Sequence, residues 1–141
     1  MENINALDEI NKGACMGMDA ITFVLDKISD DDFKKVVQKQ HDDYHMIEEE
    51  IEKVYHKYDD GKPHETNTLT KALTWSGINM KTMMDNSNSK IAELLLQGVN
   101  MGIIEGRKIL NEKKLNKEVR HIVSKYVTMQ EENVEVLKKY L

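Results

Sequence analysis

Apolar side chains recur every three to four residues along most of the chain, which is the spacing of one face of an α-helix. The alternation of apolar and polar residues that is typical of a strand is absent, and the chain has one proline, Pro63. About 30 residues separate the second long helical stretch from the third, and they contain a shorter one. We therefore predict an all-α chain, with helices at about 6–28, 30–58, 68–84, 90–112 and 117–140.

The four longer helices are similar in length, so they suit a single bundle. A short turn is the usual connection between antiparallel neighbours. The predicted helix 68–84 instead extends about 25 Å at 1.5 Å per residue, which carries the chain back along most of a bundle. The expected topology is two αα-hairpins joined by a long crossover, in one domain over residues 1–141.

A glycine motif occurs twice within predicted helices. Gly-x-x-Met-Gly spans Gly13 to Gly17 and again Gly98 to Gly102, and Gly106 extends the second copy. Glycine destabilises a helix interior by about 0.5–1 kcal/mol relative to alanine. All five glycines fall in apolar arcs, so we expect them to allow close packing of the first and third long helices. The repeat favours a duplicated hairpin, and chance in a bundle that tolerates glycine is the alternative.

Charge and composition narrow the choice of partners. The formal net charge of −5 and the pI of about 5.5 argue against nucleic acid, whose phosphates require a basic surface. The basic segment 107–117 is interpreted as a solvated helix end.

Cys15 is the single cysteine, so no internal disulfide can form and a reducing compartment is expected. With no apolar run near 18 residues and no leader-like N-terminus, we predict a cytoplasmic protein without a membrane contact.

Three segments carry a family resemblance: "GACMGMDAI", "NMKTMMDNSNSKIAELLLQGVNMGI" and "QEENVEVLKKYL". They resemble the uncharacterised bacterial ferritin-like four-helix-bundle proteins, particularly clostridial forms. The resemblance covers nearly the whole chain and implies a ferritin-like bundle of two αα-hairpins with a long crossover. Because that family has no agreed function, the resemblance implies an architecture and no reaction.

A ferritin-like metal site takes a Glu from each of two helices and Glu-x-x-His from each of the other two. In this chain the inward positions of the last helix hold Gln130 and Asn133. Those of the second long helix hold Gln40 and Asp43, and the third offers only Glu105. Amides lack the negative charge that a di-metal centre requires. We therefore expect no metal and no other cofactor, with iron or manganese as the alternative and Glu105 and Asp43 as weak ligand candidates.

The segment "HDDYH" places His41 and His45 one helical turn apart, as in the His-Glu-x-x-His motif of zinc proteases. Asp42 stands where that motif has glutamate. His45 lies outside the main apolar stripe, and His41 flanks it. A solvated helix face is the preferred interpretation. Weak metal binding by His41 and His45 is the alternative.

The inward polar residues predict a polar layer instead of a metal site. We expect Glu105 to anchor this layer, because a carboxylate near a core requires hydrogen bonds, hydration or a proton. The amides of Gln40, Gln130 and Asn133 can donate to it, and Tyr44 or Tyr126 can add a hydroxyl.

A second apolar face predicts association with another protein. In the predicted helix 68–84 most apolar residues share one side, whereas Trp75 and Ile78 lie on nearly the opposite one. A surface helix buries one face, and tryptophan is enriched at interface hot spots. We therefore predict a homodimer or another protein partner that docks at Trp75 and Ile78. The alternative is a break at residues 76–77 that turns Trp75 into its own bundle.

These features favour a non-enzymatic ferritin-like bundle that acts by protein–protein association or as a structural or stress-related factor. The alternative function is that of a metal-carboxylate oxidoreductase or a metal-storage protein that uses iron or manganese.

Overall fold

The computed structural model describes residues 2–59, 61–64 and 85–141. These residues form four long α-helices and, within the same ranges, no strand. The prediction of an all-α chain with four long helices is confirmed, whereas the predicted helix 68–84 lies outside the described residues. The helices are α1 (Glu2–Leu25), α2 (Asp31–Tyr55), α3 (Asn88–Glu112) and α4 (Lys117–Lys138).

Local capping fixes where two of these helices begin. Asp30 precedes α2 and its side chain accepts a hydrogen bond from the backbone N–H of Phe33 at 2.8 Å. Ser87 caps α3 by accepting from the backbone N–H of Lys90 at 3.2 Å. Both residues satisfy an N–H group that the first helical turn leaves without an intrahelical partner. The first helix differs from its predicted bounds. It begins at Glu2 and ends at Leu25, so both of its ends lie a few residues before those of the predicted range 6–28.

The helices pack as two hairpins, α1 with α2 and α3 with α4, and α1 also contacts α3 while α2 contacts α4. The ring of Phe33, near the start of α2, stacks on that of Tyr140, just after α4, with centroids 4.5 Å apart. At the other end the Tyr58 hydroxyl, just after α2, donates to Glu118 in the first turn of α4 at 2.6 Å. Therefore α2 and α4 are antiparallel.

The direction of α1 follows from its first turn. The side-chain oxygen of Asn3 accepts from the backbone N–H of Asn116, immediately before α4, at 2.8 Å. Further along, Gly13 of α1 lies beside Tyr126 of α4. Thus α1 is parallel to α4. Because α2 is the hairpin partner of α1 and α3 is that of α4, α2 and α3 are also parallel to each other.

All four helices contribute to one apolar core. Burial of each large aliphatic or aromatic side chain contributes roughly 1.5–3 kcal/mol, so this core supplies the main stabilisation of the bundle. The largest fully buried apolar residues include Leu7, Ile10, Ile21, Phe33, Ile47, Ile51, Ile91 and Leu137.

None of the helices in the described ranges is both long and apolar enough to cross a membrane.

Candidate functional site

A chain of buried hydrogen bonds crosses the middle of the bundle. The Tyr44 hydroxyl on α2 donates to Gln130 Oε1 on α4 at 2.7 Å. Gln130 Nε2 in turn donates to the Tyr126 hydroxyl, one helical turn away, at 3.1 Å. Gln130 is 1% exposed, so this amide satisfies its carbonyl and one N–H without water. The bond from Tyr44 also joins the first hairpin to the second.

The two tyrosines are held in their neutral form. Burial raises the pKa of Tyr126 to about 12, and the negative charge of Glu105 adds to the rise while the hydrogen bond with Gln130 opposes it. Burial also raises the pKa of Tyr44 well above its usual range, and the neighbouring Tyr126 adds to this rise. A buried tyrosinate would be costly because the core offers little solvation of its charge. The layer therefore consists of neutral donors and acceptors at physiological pH.

Two further amides lie buried on the same pair of helices. Gln40 on α2 is 3% exposed and Asn133 on α4 is 5% exposed. Because α2 and α4 are antiparallel and Tyr44 meets Gln130, Gln40 and Asn133 lie near the same level, one turn further toward the α1–α2 turn. Among the described residues, Gln40 Nε2 and Asn133 Nδ2 have no hydrogen-bond partner. They extend the polar layer with two amide donors that lack an acceptor.

The structure does not place Glu105 in this layer. Its side chain is exposed on α3, so the prediction that Glu105 anchors the layer is wrong. On a helical wheel Glu105 borders the apolar arc, and the adjacent Gly106, not Glu105, takes the buried position. Gln130 takes the central role through bonds to both tyrosines, and these bonds require no charge.

Four of the five predicted glycines lie against this layer or beside it. A Cβ built on Gly17 would lie 2.6 Å from ring atoms of Tyr44. A Cβ on Gly13 would lie 2.6 Å from the Tyr126 hydroxyl, and one on Gly102 would lie 2.6 Å from Gln130 Nε2 and 2.7 Å from the Tyr126 hydroxyl. A Cβ on Gly106 would overlap a methyl group of Val127. These glycines thus provide space for side chains of α2 and α4.

This arrangement corrects the predicted role of the glycine repeat. We expected the glycines to bring the backbones of α1 and α3 together, but the nearest atoms belong to side chains of other helices. Gly98 departs further from the prediction, because it is exposed and a Cβ there would meet no atom of the residues that the structure describes within 4 Å. A helical wheel cannot distinguish a glycine that admits a neighbouring backbone from one that admits a tyrosine ring, since both lie in an apolar arc.

Of the remaining metal candidates on α2, His45 is exposed and His41 and Asp43 are half-buried, and each lies near a charged residue of the same helix. His45 Nε2 is 3.0 Å from Glu49 Oε1, one turn along the helix. Asp43 pairs with Lys39 at 3.0 Å, and His41 Nδ1 is 3.9 Å from Asp42. Across residues 2–59, 61–64 and 85–141, no group of three His, Cys, Asp or Glu side chains is arranged to hold a metal ion. The structure therefore does not bring His41, His45, Asp43 and Glu105 together.

The structure contains a second buried polar cluster that was not predicted from the sequence. Asp8 of α1 is 6% exposed, and its carboxylate accepts from the backbone N–H of His64 at 2.9 Å. The His64 carbonyl accepts from Asn11 Nδ2 at 2.9 Å, and His64 Nδ1 lies 3.3 Å from Asp8 Oδ2. Burial, followed by a hydrogen bond to Asp8, raises the pKa of Tyr55 to about 12. The cluster attaches residues 61–64 to α1.

The sequence contained a partial signal for this second cluster. Asp8 and Asn11 are three residues apart at the border of the apolar stripe, so they share one face of α1. Their partner His64 lies more than fifty positions away in sequence, in a segment with no helical periodicity. No local pattern could pair them.

Comparisons of the chain with family models, with curated proteins and with solved structures find no match. The ferritin-like family resemblance therefore stays a prediction. Trp75 and Ile78, the predicted interface residues, lie outside the described residues, and their role also stays a prediction.

Proposed function

We propose that this protein is a non-enzymatic, cytoplasmic helical bundle of ferritin-like plan that acts by associating with other protein surfaces, including copies of itself. The observation that carries the proposal is the neutral, self-bonded layer of Tyr44, Gln130 and Tyr126 at the centre of the bundle. In a ferritin-like protein, carboxylates and histidines project into this region and hold the metals.

The chemistry of this layer favours a structural role. Iron and manganese in such sites prefer anionic oxygen ligands and imidazole. The layer offers amides and tyrosine hydroxyls whose pKa values are raised, so ionisation of Tyr44 or Tyr126 to a metal-binding phenolate is disfavoured. Because Tyr44 and Gln130 belong to different hairpins, their hydrogen bond specifies how the hairpins pack. The layer thus helps to fix the position of one hairpin relative to the other.

Association is supported by apolar residues on the outside of the bundle. Met101 and Ile104 of α3 are 63% and 54% exposed, and they are neighbours on one helix face. Adjacent exposed apolar side chains provide apolar area whose removal from water by a partner would be favourable. The predicted docking residues Trp75 and Ile78 add a second surface to the same proposal.

A metal titration tests the non-enzymatic part of the proposal. Full-length protein is stripped with a chelator and titrated with Fe²⁺ or Mn²⁺ in a calorimeter under anaerobic conditions. We expect no stoichiometric binding, and a His41→Ala, His45→Ala double variant controls for weak binding at the surface of α2. Stoichiometric, sub-micromolar binding that persists in this variant and is lost in Gln130→Leu would overturn the proposal in favour of a metal-carboxylate protein.

A further inference from the structure

One face of α3 is turned away from the bundle and is largely apolar at its centre. Met101 and Ile104 are the two most exposed large apolar residues of this helix. Leu94 is half-buried, while Gly98 and Glu105 are exposed. Because residues three, four and seven positions apart share one side of a helix, these five residues form a continuous strip, here called the outer α3 face.

Within residues 2–59, 61–64 and 85–141, no contact explains the glycine at position 98, at the centre of this face. The glycines at 13, 17, 102 and 106 each adjoin a side chain that a Cβ would displace, whereas a Cβ at Gly98 would meet no atom of the described residues within 4 Å. An exposed glycine in a helix interior still destabilises the helix by about 0.5–1 kcal/mol relative to alanine. A surface that approaches the α3 backbone at Gly98 would account for its presence.

We propose that the outer α3 face binds a second copy of this chain, with the two α3 helices antiparallel about a two-fold axis at Met101. This inference rests on the proposed associative function and specifies its surface. A two-fold axis places each residue opposite the one equally far on the other side of Met101. Ile104 of one copy then lies over Gly98 of the other, which provides the space that the branched side chain needs.

The charges of α3 fit the same register. The axis at Met101 places Lys90 of one copy opposite Glu112 of the other, and the contact occurs twice by symmetry. Lys90 pairs with Glu93 of its own helix at 3.1 Å, and both side chains remain partly exposed, so Lys90 can also reach a partner. A parallel arrangement in register would instead place Glu105 against Glu105 and Lys108 against Lys108. Opposite charges therefore favour the antiparallel pair.

The size of this surface determines how tightly the two copies are expected to bind each other. The 25 residues of α3 extend about 37 Å at 1.5 Å per residue. Stable protein interfaces bury roughly 1,200–2,000 Å² in total, and weak or transient complexes lie at or below the low end of this range. A contact through one face of one helix belongs with these smaller interfaces. We expect a reversible dimer with a dissociation constant on the order of micromolar, which is typical of a small interface.

Sedimentation equilibrium of the full chain tests the surface. The native protein should shift from the 16.3 kDa monomer to twice that mass as its concentration rises. Ile104→Lys together with Met101→Lys should keep the protein monomeric, because desolvating a lysine at the centre of the interface is unfavourable. Met46→Lys is the matched control, because Met46 on α2 is 51% exposed and lies outside the outer α3 face. Circular dichroism confirms that each variant is folded.

A charge exchange tests the antiparallel register independently. Lys90→Glu and Glu112→Lys should each weaken self-association roughly tenfold, because each places like charges at both symmetric contacts. An equimolar mixture of the two variants should form a mixed dimer as stable as the native one, because both of its contacts then join opposite charges. The double variant Lys90→Glu, Glu112→Lys should also recover native association.

Three results would overturn the inference. A monomeric mass at every concentration would exclude the dimer, and a dimer that survives substitution of Met101 and Ile104 would place it on another surface, such as the predicted one at Trp75. Failure of the mixture to recover association would exclude the antiparallel register. The metal titration reports separately on the proposed function, because its outcome does not depend on the mass of the protein in solution.

Discussion

The two copies of Gly-x-x-Met-Gly, at residues 13–17 of α1 and 98–102 of α3, agree at their second glycine and differ at their first. Gly17 faces the ring of Tyr44 on the following helix, and Gly102 faces Tyr126 on the helix that follows it. The first glycines diverge, since Gly13 lies against the Tyr126 hydroxyl, whereas no atom in the described part of the chain lies within 4 Å of a Cβ built on Gly98. The difference shows that a glycine shared by sequence motif has a structural role only where a side chain occupies the space that it leaves.

The second glycines explain why this bundle can bury tyrosines at its centre. A tyrosine ring is larger than the branched aliphatic residues that fill most helical cores, so the opposing helix must provide space. Gly17 and Gly102 provide it, and Gln130 then accepts a hydrogen bond from the Tyr44 hydroxyl and donates one to the Tyr126 hydroxyl. A glycine paired with a tyrosine in each hairpin is the arrangement that a duplicated hairpin would retain.

The largest expected effect is the loss of stability at alkaline pH. The folded-state pKa of Tyr126 is about 12 against an ordinary value of 10.0, so the neutral tyrosine contributes its full stabilisation below about pH 10. This contribution, on the order of 2–3 kcal/mol, is lost as the pH rises through the folded-state pKa. Tyr44, whose pKa is also raised, adds to the loss.

Urea denaturation measured between about pH 8 and pH 12 tests this contribution to the free energy of unfolding. The reference is an exposed tyrosine, whose pKa has its ordinary value near 10. Tyr126→Phe should unfold at lower urea concentration at neutral pH and lose less additional stability as the pH rises. An unchanged free energy of unfolding across this range would contradict the burial of both tyrosine hydroxyls. A larger alkaline loss in Tyr126→Phe than in Tyr44→Phe would indicate that Tyr44 is the better protected of the two.

Substitution of Gly102 by leucine should produce the next largest effect. Its Cβ would lie within 2.7 Å of both Gln130 Nε2 and the Tyr126 hydroxyl, so the side chain would separate this hydrogen-bonded pair. Overpacking of a core destabilises by about 1–3 kcal/mol, and the broken hydrogen bond adds to the loss. Thermal unfolding followed by circular dichroism measures the change. A melting temperature equal to that of the native protein would show that the space beside Gly102 is larger than the structure indicates.

Removal of the central amide should have a somewhat smaller effect. Gln130→Leu preserves most of the volume but leaves the buried Tyr44 hydroxyl without its acceptor at 2.7 Å. An unsatisfied buried polar group costs about 1–3 kcal/mol, part of which the added apolar surface offsets. Adding Tyr44→Phe to this variant should recover part of the lost stability, because both partners of this hydrogen bond are then apolar. A double variant less stable than Gln130→Leu would contradict the hydrogen bond between the two side chains.

Helical periodicity was sufficient to predict the four long helices, because each carries an apolar stripe that matches its buried face. It also located Gln40, Gln130 and Asn133 within buried stripes. Periodicity failed at Glu105 and Gly98, which lie at the border of the apolar arc of α3, where a small rotation separates core from solvent. It also failed for Asp8 and His64, whose contact depends on the tertiary path of the chain. Residues inside a stripe are predictable, and those at its borders depend on packing.

The smallest effect provides the sharpest test of the two glycine copies, because the same substitution should raise stability in one copy and not in the other. Gly98→Ala should stabilise the monomer by about 0.5–1 kcal/mol, since alanine has the higher helix propensity and meets no neighbour. Gly13→Ala gains the same propensity but moves its methyl group to within 2.6 Å of the Tyr126 hydroxyl, so it should be neutral or destabilising. Melting temperatures compared at concentrations below the dimer dissociation constant should therefore rise by roughly 2–4 °C for Gly98→Ala alone. At high concentration this gain should shrink, because the methyl group lies where Ile104 of the second copy would pack. A gain that does not depend on concentration would show that Gly98 contacts nothing in solution, and the glycine at that position would then have no structural role in the dimer.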